Sequence, residues 1–302
     1  MDYDSAGFYR KLEGDLGDRL RQVLKDTDDG VVMVIEDGRC PMWRKDGLCR
    51  IQAELGHDAL CRVCQEFPRL SHDYGDFLEL GLELSCPEAA RLILSLPQTL
   101  AVSEVVGGDA PDYDGDIMEI LLVSRKTVMD FLDTTSLPSN LALAILLLYS
   151  HEVQSWIDGG EPALLDADSC LFLAKEHAAN GNWELFLDFF RGLEILTPEW
   201  KQLLSVPAEN GGWHTDFFAL IRYFINRYWL QAVSDYDLIC RVKFLVTACL
   251  LIKYLGGDFM RTSQLFSKEI ENDSDNLDAI LDGSYTAPAL TDVHLLSLLL
   301  NG

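Results

Sequence analysis

Helical periodicity over the second half of the chain limits the fold more than any other feature. Apolar residues recur there at helical spacing over roughly Ser124–Leu132, Ser139–Asp158, Ala167–Ala179, Trp183–Leu193, Thr215–Ser234, Asp237–Leu255 and Met260–Leu281. Two apolar runs within these patterns, Leu141–Tyr149 and Phe244–Ile252, are each about half the roughly 20 residues of a membrane span, so they read as helix buried in a core. Leu137-Pro138-Ser139 and Thr197-Pro198-Glu199 break the patterns, and Gly256-Gly257 is a helix stop. A helical bundle is therefore expected over residues 108–302.

The first third reads differently. Phe8, Leu12, Leu16, Leu20 and Leu24 recur every four positions, which predicts an amphipathic helix over Phe8–Leu24. Val31-Val32-Met33-Val34-Ile35, between Asp29-Gly30 and Asp37-Gly38, predicts a strand entering a turn. A loop-rich cysteine segment follows. Between Pro97 and Asp116 the chain carries Pro97, Gly107, Gly108, Pro111 and Gly115, punctuation that places a domain junction there. The expected architecture is mainly α: a small cysteine-containing region over residues 1–107 packed on a C-terminal helical bundle.

Charge narrows the partners. The 49 acidic against 24 basic residues give a formal charge of −25, which opposes nucleic acid and an anionic membrane surface and favours a cationic or lysine-bearing protein. The start Met1-Asp2-Tyr3-Asp4-Ser5 lacks the basic and apolar features of a secretory signal, so a cytoplasmic protein is expected. In that compartment the 8 cysteines read as thiols or metal ligands rather than disulfides.

Five of them, Cys40, Cys49, Cys61, Cys64 and Cys86, fall together, whereas Cys170, Cys240 and Cys249 sit in apolar helical patterns and read as small core residues. Cys61 and Cys64 form a C-x-x-C pair, a spacing that lets two thiolates converge on one ion. Cys40, Cys49 and Cys86 lie beside turn-forming Gly or Pro. A metal set of Cys40, Cys49, Cys64 and Cys86, with Cys61 as a further candidate, suits zinc or an iron–sulfur cluster, and spacing does not separate the two. His57 and His72 flank the pair and read as solvated or hydrogen-bonded side chains.

The ordered succession Cys40-Pro-Met-Trp-Arg-Lys-Asp-Gly-Leu-Cys49-Arg-Ile-Gln, Glu54-Leu55-Gly56, Cys64-Gln-Glu-Phe67-Pro68-Arg69 and Leu82-Glu83-Leu84-Ser85-Cys86-Pro87-Glu88-Ala89-Ala90-Arg91 resembles the flagellin lysine-N-methylase family. Tyr223-Phe-Ile-Asn-Arg227-Tyr228 with Asp235 and Asp237, and Phe266-Ser-Lys-Glu269-Ile-Glu271 with Asn276, extend the resemblance into the helical half. It implies methyl transfer from S-adenosylmethionine to lysine ε-amines of flagellin, with a cysteine-bound metal centre. The family pattern has a further cysteine cluster, ending in a Cys-Cys pair, before the stretch that Asp4–Tyr9 resembles; this chain starts after it.

The residues themselves supply no methyl-donor motif. Gly107-Gly108 follows Val105-Val106 but leads into Asp109-Ala110-Pro111, which is no helix start, and a C-x-x-x-C-x-x-C pattern is lacking. Methylating a lysine requires a neutral amine, obtained by desolvation or a nearby base. The candidates for that chemistry are Glu83, Glu88, Tyr223, Arg227, Tyr228, Asp235, Asp237, Glu269 and Glu271, each of which also suits a solvated helix face or a structural ion pair. Arg69 and Arg91 are expected to pair with acids, and Pro68 and Pro87 to fix the turns presenting Cys64 and Cys86. A second functional class fits the same residues: a non-catalytic module whose cysteines hold a structural zinc and whose acidic half docks a cationic partner.

Overall fold

The pattern that predicts one helix over Phe8–Leu24 forms two, in a computed structural model that describes residues 1–28, 30–36, 38–95, 101–104, 112–206 and 212–301. Helix α1 (Tyr3–Lys11) ends at Leu12, and α2 (Gly14–Val23) begins at a glycine with φ of 79°, a conformation that disfavours any Cβ. The two helices pack so closely that a Cβ on Gly17 would sit 2.0 Å from the Leu12 carbonyl oxygen. Arg21 donates to the carbonyls of Leu12 and Arg10 at 2.5 and 3.1 Å, satisfying the exposed end of α1. An antiparallel hairpin follows, β1 (Leu24–Thr27) with β2 (Gly30–Met33), pairing Leu24 with Met33 and Thr27 with Gly30. Two short helices, α3 (Arg50–Leu55) and α4 (Arg62–Glu66), complete this part around a core of Tyr9, Leu20, Val31, Met42, Ile51 and Leu60.

These elements form the first of two compact units, Met1–Leu70 and Ser71–Gly302. The junction expected at 107/108 falls on residues outside those described.

A three-stranded sheet follows in the order β3 (Arg69–Asp73, of which Ser71–Asp73 belong to the second unit), β4 (Phe77–Leu82), β5 (Ala101–Glu104), with β4 and β5 antiparallel. Helix α5 (Pro87–Ser95) lies between β4 and β5 in the chain. Ten helices then follow among the described residues: α6 (Gly115–Thr134), α7 (Ser139–Ile157), α8 (Ala167–His177), α9 (Trp183–Arg191), α10 (Pro198–Ser205), α11 (Phe217–Tyr228), α12 (Ile239–Leu255), α13 (Phe259–Phe266), α14 (Ser274–Thr286) and α15 (Asp292–Asn301). The chain is thus mainly α, with the helical C-terminal region that its periodicity predicts.

Helix α12 is the axis of this unit: every residue from Cys240 to Lys253 is buried, as a helix that is apolar on all sides requires. Its three cations are each partnered. Arg241 donates twice to Asp235 at 2.9 Å, Lys243 reaches the Ser284 carbonyl and lies 3.2 Å from Asp292, and Lys253 stands 5.0 Å above the Trp183 ring. Cys170, Cys240 and Cys249 are buried and free, as expected of core cysteines. Burial pushes the Cys170 thiol up to about 11 and Cys240 to about 12. Among the described residues no helix is long and apolar enough to cross a membrane.

Candidate functional site

In the first unit a tight loop presents the first two cysteines. Trp43 bridges antiparallel to Cys49, the Arg44 N–H donates to the Leu48 carbonyl at 2.8 Å, and Gly47 takes a φ of 83° at the tip. Cys40 opens the loop with its Sγ 3.8 Å from the Met33 thioether, and Cys49 closes it as the residue before α3. Cys61 stands at the start of α4 and Cys64 one turn into it, so the C-x-x-C pair straddles a helix start. The Asp2 carboxylate ties that start to the chain's own N-terminal helix, accepting from the N–H of Ser5 at 2.8 Å and of Arg62 at 3.1 Å.

Cys40, Cys61 and Cys64 are each shifted by neighbouring thiols. A hydrogen bond from Cys64 pulls Cys61 down to about 6, and the same bond, with burial and the charges of Cys61, Cys40 and Cys49, holds Cys64 high. Cys40 is raised first by burial and then by Cys49 and Cys61. Tyr9, fully buried with its hydroxyl donating to the Ala59 carbonyl at 2.8 Å, is raised first by burial and then by Cys61, Cys64 and Cys49, and it belongs to the same small core as Cys61 and Cys49. Cys61 is buried and packs in the same small core as Cys49. Cys86 belongs to the second unit: its N–H donates to the Glu83 carbonyl at 3.3 Å and its side chain packs on that unit's core. His57 is exposed beside Asp58, the solvated state expected of it. Among the described residues, no three His, Cys, Asp or Glu side chains are arranged to hold a metal ion.

The second unit gathers a different set. At the end of α11, Tyr223, Arg227 and Tyr228 turn toward Glu271, which lies on a π-helical turn, Ser267–Glu271, following α13. The Asn272 N–H reaches back to the Ser267 carbonyl at 3.1 Å, the five-residue step of such a turn. Glu271 accepts from the Tyr228 hydroxyl at 2.9 Å and from the Tyr223 hydroxyl at 3.1 Å, and Arg227 Nε lies 3.2 Å away. Tyr223 in turn accepts from Arg227 at 2.8 Å and from the Leu84 N–H at 3.3 Å, while Glu83 lies 3.7 Å from Arg227 Nη2. Burial first, then Glu271, drives both tyrosines far above the ordinary phenol value. Burial pulls Arg227 down, but Glu271 and then the tyrosines and Glu83 outweigh it and fix the guanidinium charge.

The other candidates do not join this group. Glu269, two residues before Glu271, accepts from the Leu196 N–H at 2.8 Å and from the Thr197 hydroxyl, and so anchors the entry to α10. Asn276 holds the same connection through both the N–H and the carbonyl of Glu194, at 2.9 Å each. Asp235 is spent on Arg241, Asp237 accepts from the Tyr285 hydroxyl at 2.6 Å, and Glu88 forms an exposed pair with Arg91 at 2.6 Å. His72 does border the group. Its Nε2 is buried without a hydrogen-bond partner, and burial first, then the charge of Arg227, pulls its pKa down. A buried bidentate pair, Arg125 on Glu79 at 2.6 and 3.0 Å, adds charges that act on Tyr74, and its Glu79 acts on His72. Sequence reading missed Glu79 and Tyr9: the apolar alternation Leu78, Leu80, Leu82 along β4 assigns Glu79 to the other face, and the four-residue spacing along α1 selects Phe8, which is exposed, over Tyr9, which is fully buried.

Fold and site together define a mainly α protein with a small four-thiol unit and a buried tyrosine–arginine–glutamate constellation in its helical unit. Comparison with known proteins finds a local likeness. Over 67 residues, 22% of this chain, it is 43% identical to the Lysine-N-methylase of Salmonella typhimurium and equally to that of Salmonella choleraesuis, covering 17% of each. It is 42% identical over 67 residues to the Flagellar biosynthetic protein FliU of Salmonella muenchen, covering 40% of that protein. The match therefore spans less than half the length of any of these relatives, and it supports a distant relationship to them. No family model matches the chain, and no solved structure matches it.

Proposed function

We propose that this chain is a protein-lysine N-methyltransferase acting on flagellin, with S-adenosylmethionine as donor. The observation that carries this reading is the 67-residue likeness to two proteins named Lysine-N-methylase. The buried constellation is compatible with it, because a carboxylate and aromatic faces can receive a lysine ammonium, and methylation then needs a base to take its proton.

The donor chemistry of Cys40, Cys49, Cys61 and Cys64 fits a thiophilic metal, zinc or the iron of a cluster. In this reading those four residues hold it, and the metal supplies structural order or redox capacity. Their side chains are not gathered into a closed shell here, and no step of the transfer is routed through it. Anaerobic purification with metal and sulfide analysis separates zinc from iron–sulfur.

The test is direct. Metal-replete chain, incubated with S-adenosylmethionine and flagellin, is expected to raise flagellin mass in steps of one methyl group; an unchanged mass rejects the reading. A second reading, the non-catalytic structural-zinc module with a cationic protein partner, draws on the placement of the four thiols in a unit separate from the constellation. It predicts that flagellin binds, in a salt-sensitive manner, without being modified.

A further inference from the structure

The constellation around Glu271 is built like a cage for a cation, and its occupant is the chain's own Arg227. The guanidinium carbon lies 5.4 Å from the centre of the Tyr228 ring and 5.9 Å from that of Tyr223, the range of cation–π attraction. Two carboxylates, Glu271 and Glu83, face this one cation. Exposure falls inward across the group, from 15% for the Glu83 side chain and 11% for Arg227 to 0% for Glu271, so the cage has a mouth at Glu83 and a closed floor at Glu271.

A purely structural account leaves several features unexplained. A buried ion pair is on average no more stabilising than apolar side chains of the same volume, so its presence calls for another reason. Polar atoms on the segments that build or border the cage are also unmatched. His72 Nε2, Ser85 Oγ and Ser267 Oγ are buried without partners: Ser85 follows the Leu84 N–H that holds Tyr223, and Ser267 opens the π turn that ends on Glu271. Such orphans mark a place where a further hydrogen-bonding group belongs. An alkylammonium, compact and carrying three donors, suits this surplus of acceptors better than a planar guanidinium already committed to Glu271, Tyr223 and Glu83.

We infer that Glu83, Tyr223, Tyr228 and Glu271 form a binding site for a primary alkylammonium group, the side-chain end of a lysine, and that Arg227 fills it in this conformation as an internal stand-in. Entry of a lysine then requires Arg227 to swing out toward the Glu83 mouth. The inference rests on the methyltransferase reading for the identity of the incoming lysine, but the cage itself is tested without any methyl transfer.

The probe is methylammonium chloride, compared with sodium chloride at equal ionic strength. Arg227→Ala in the full chain empties the cage and is expected to lower Tm. Methylammonium should then restore Tm in a saturable way, leave the native protein's Tm unmoved, and lose its effect in Arg227→Ala/Glu271→Gln. If Arg227→Ala does not fold unaided, recovery of soluble, helical protein by refolding in methylammonium but not in sodium chloride supports the site equally. The same Tm in both salts, or no recovery in either, overturns it. Restoration of Tm together with an unmodified flagellin would retain the cage and discard the methyltransferase reading; the reverse pair of results would do the opposite.

Discussion

Glu271 accepts from two tyrosine hydroxyls and faces one guanidinium with no access to water, so removing its charge leaves Arg227 with only Glu83, 3.7 Å away, as a counter-charge. Breaking a buried pair by neutralising one partner costs about 3–5 kcal/mol, and Glu271→Gln should destabilise the chain by about that much in urea denaturation. Glu88→Gln, in the exposed pair with Arg91, should leave stability unchanged. Equal effects from the two substitutions would mean that the constellation is hydrated. At this scale the sequence was partly legible: Tyr223, Arg227, Tyr228 and Glu271 were singled out by resemblance, and they do converge. Glu269, Asp235, Asp237 and Glu88 were singled out on the same footing and do not. The difference lies in contacts that no local spacing encodes, such as Leu84 with Tyr223, 139 residues apart, and Glu79 with Arg125, 46 apart.

Asp2 links two elements, capping α1 through Ser5 and bonding the first N–H of α4 through Arg62. Those bonds, the Ser5 side chain foremost, lower its carboxyl from 3.8 to about 2. A folded-state value below the unfolded one stabilises above the unfolded value and is lost as pH falls through the folded value. The first unit should therefore loosen between about pH 4 and 2, and in Asp2→Asn this component of the acid transition should be missing when followed by circular dichroism. An unaltered acid profile in the variant would show that the cap contributes nothing. Element boundaries were legible where periodicity was long, as in α7 and α12, and illegible where a single residue turned the chain. Gly14 divides the first helix. The stretch expected as one helix over Met260–Leu281 divides into α13, the π turn and α14, because Asp273 caps α14 by accepting from the Asn276 N–H at 2.9 Å. Helices α10 and α15 had no counterpart in the sequence reading. The first is short, with Trp200 and Leu204 its two buried positions, and in the second the run Leu295–Leu299 is buried on all sides, so neither repeats a two-sided period for long.

For the molecule as a whole, the division after Leu70 puts the four thiols and the Glu271 constellation in different compact units, and this bears on what a metal would do. A unit the size of Met1–Leu70 approaches the range in which an apolar core alone gives marginal stability, and its core is small, centred on Tyr9, Leu20, Val31 and Met42. A metal held by Cys40, Cys49, Cys61 and Cys64 would contribute its binding free energy directly to folding of that unit. The helical unit, with α12 enclosed on every side, needs no such staple. Calorimetry of the metal-replete chain should accordingly show two transitions, and a chelator should lower only one. Hydrogen–deuterium exchange identifies which: amides of α1 to α4 should lose protection while those of α7 and α12 keep theirs. Cys61→Ser should reproduce the chelated state without chelator, whereas Cys249→Ser, in the apolar core, should instead weaken the helical unit. If chelation moves neither transition, or moves that of the helical unit, the four cysteines are not the metal's ligands.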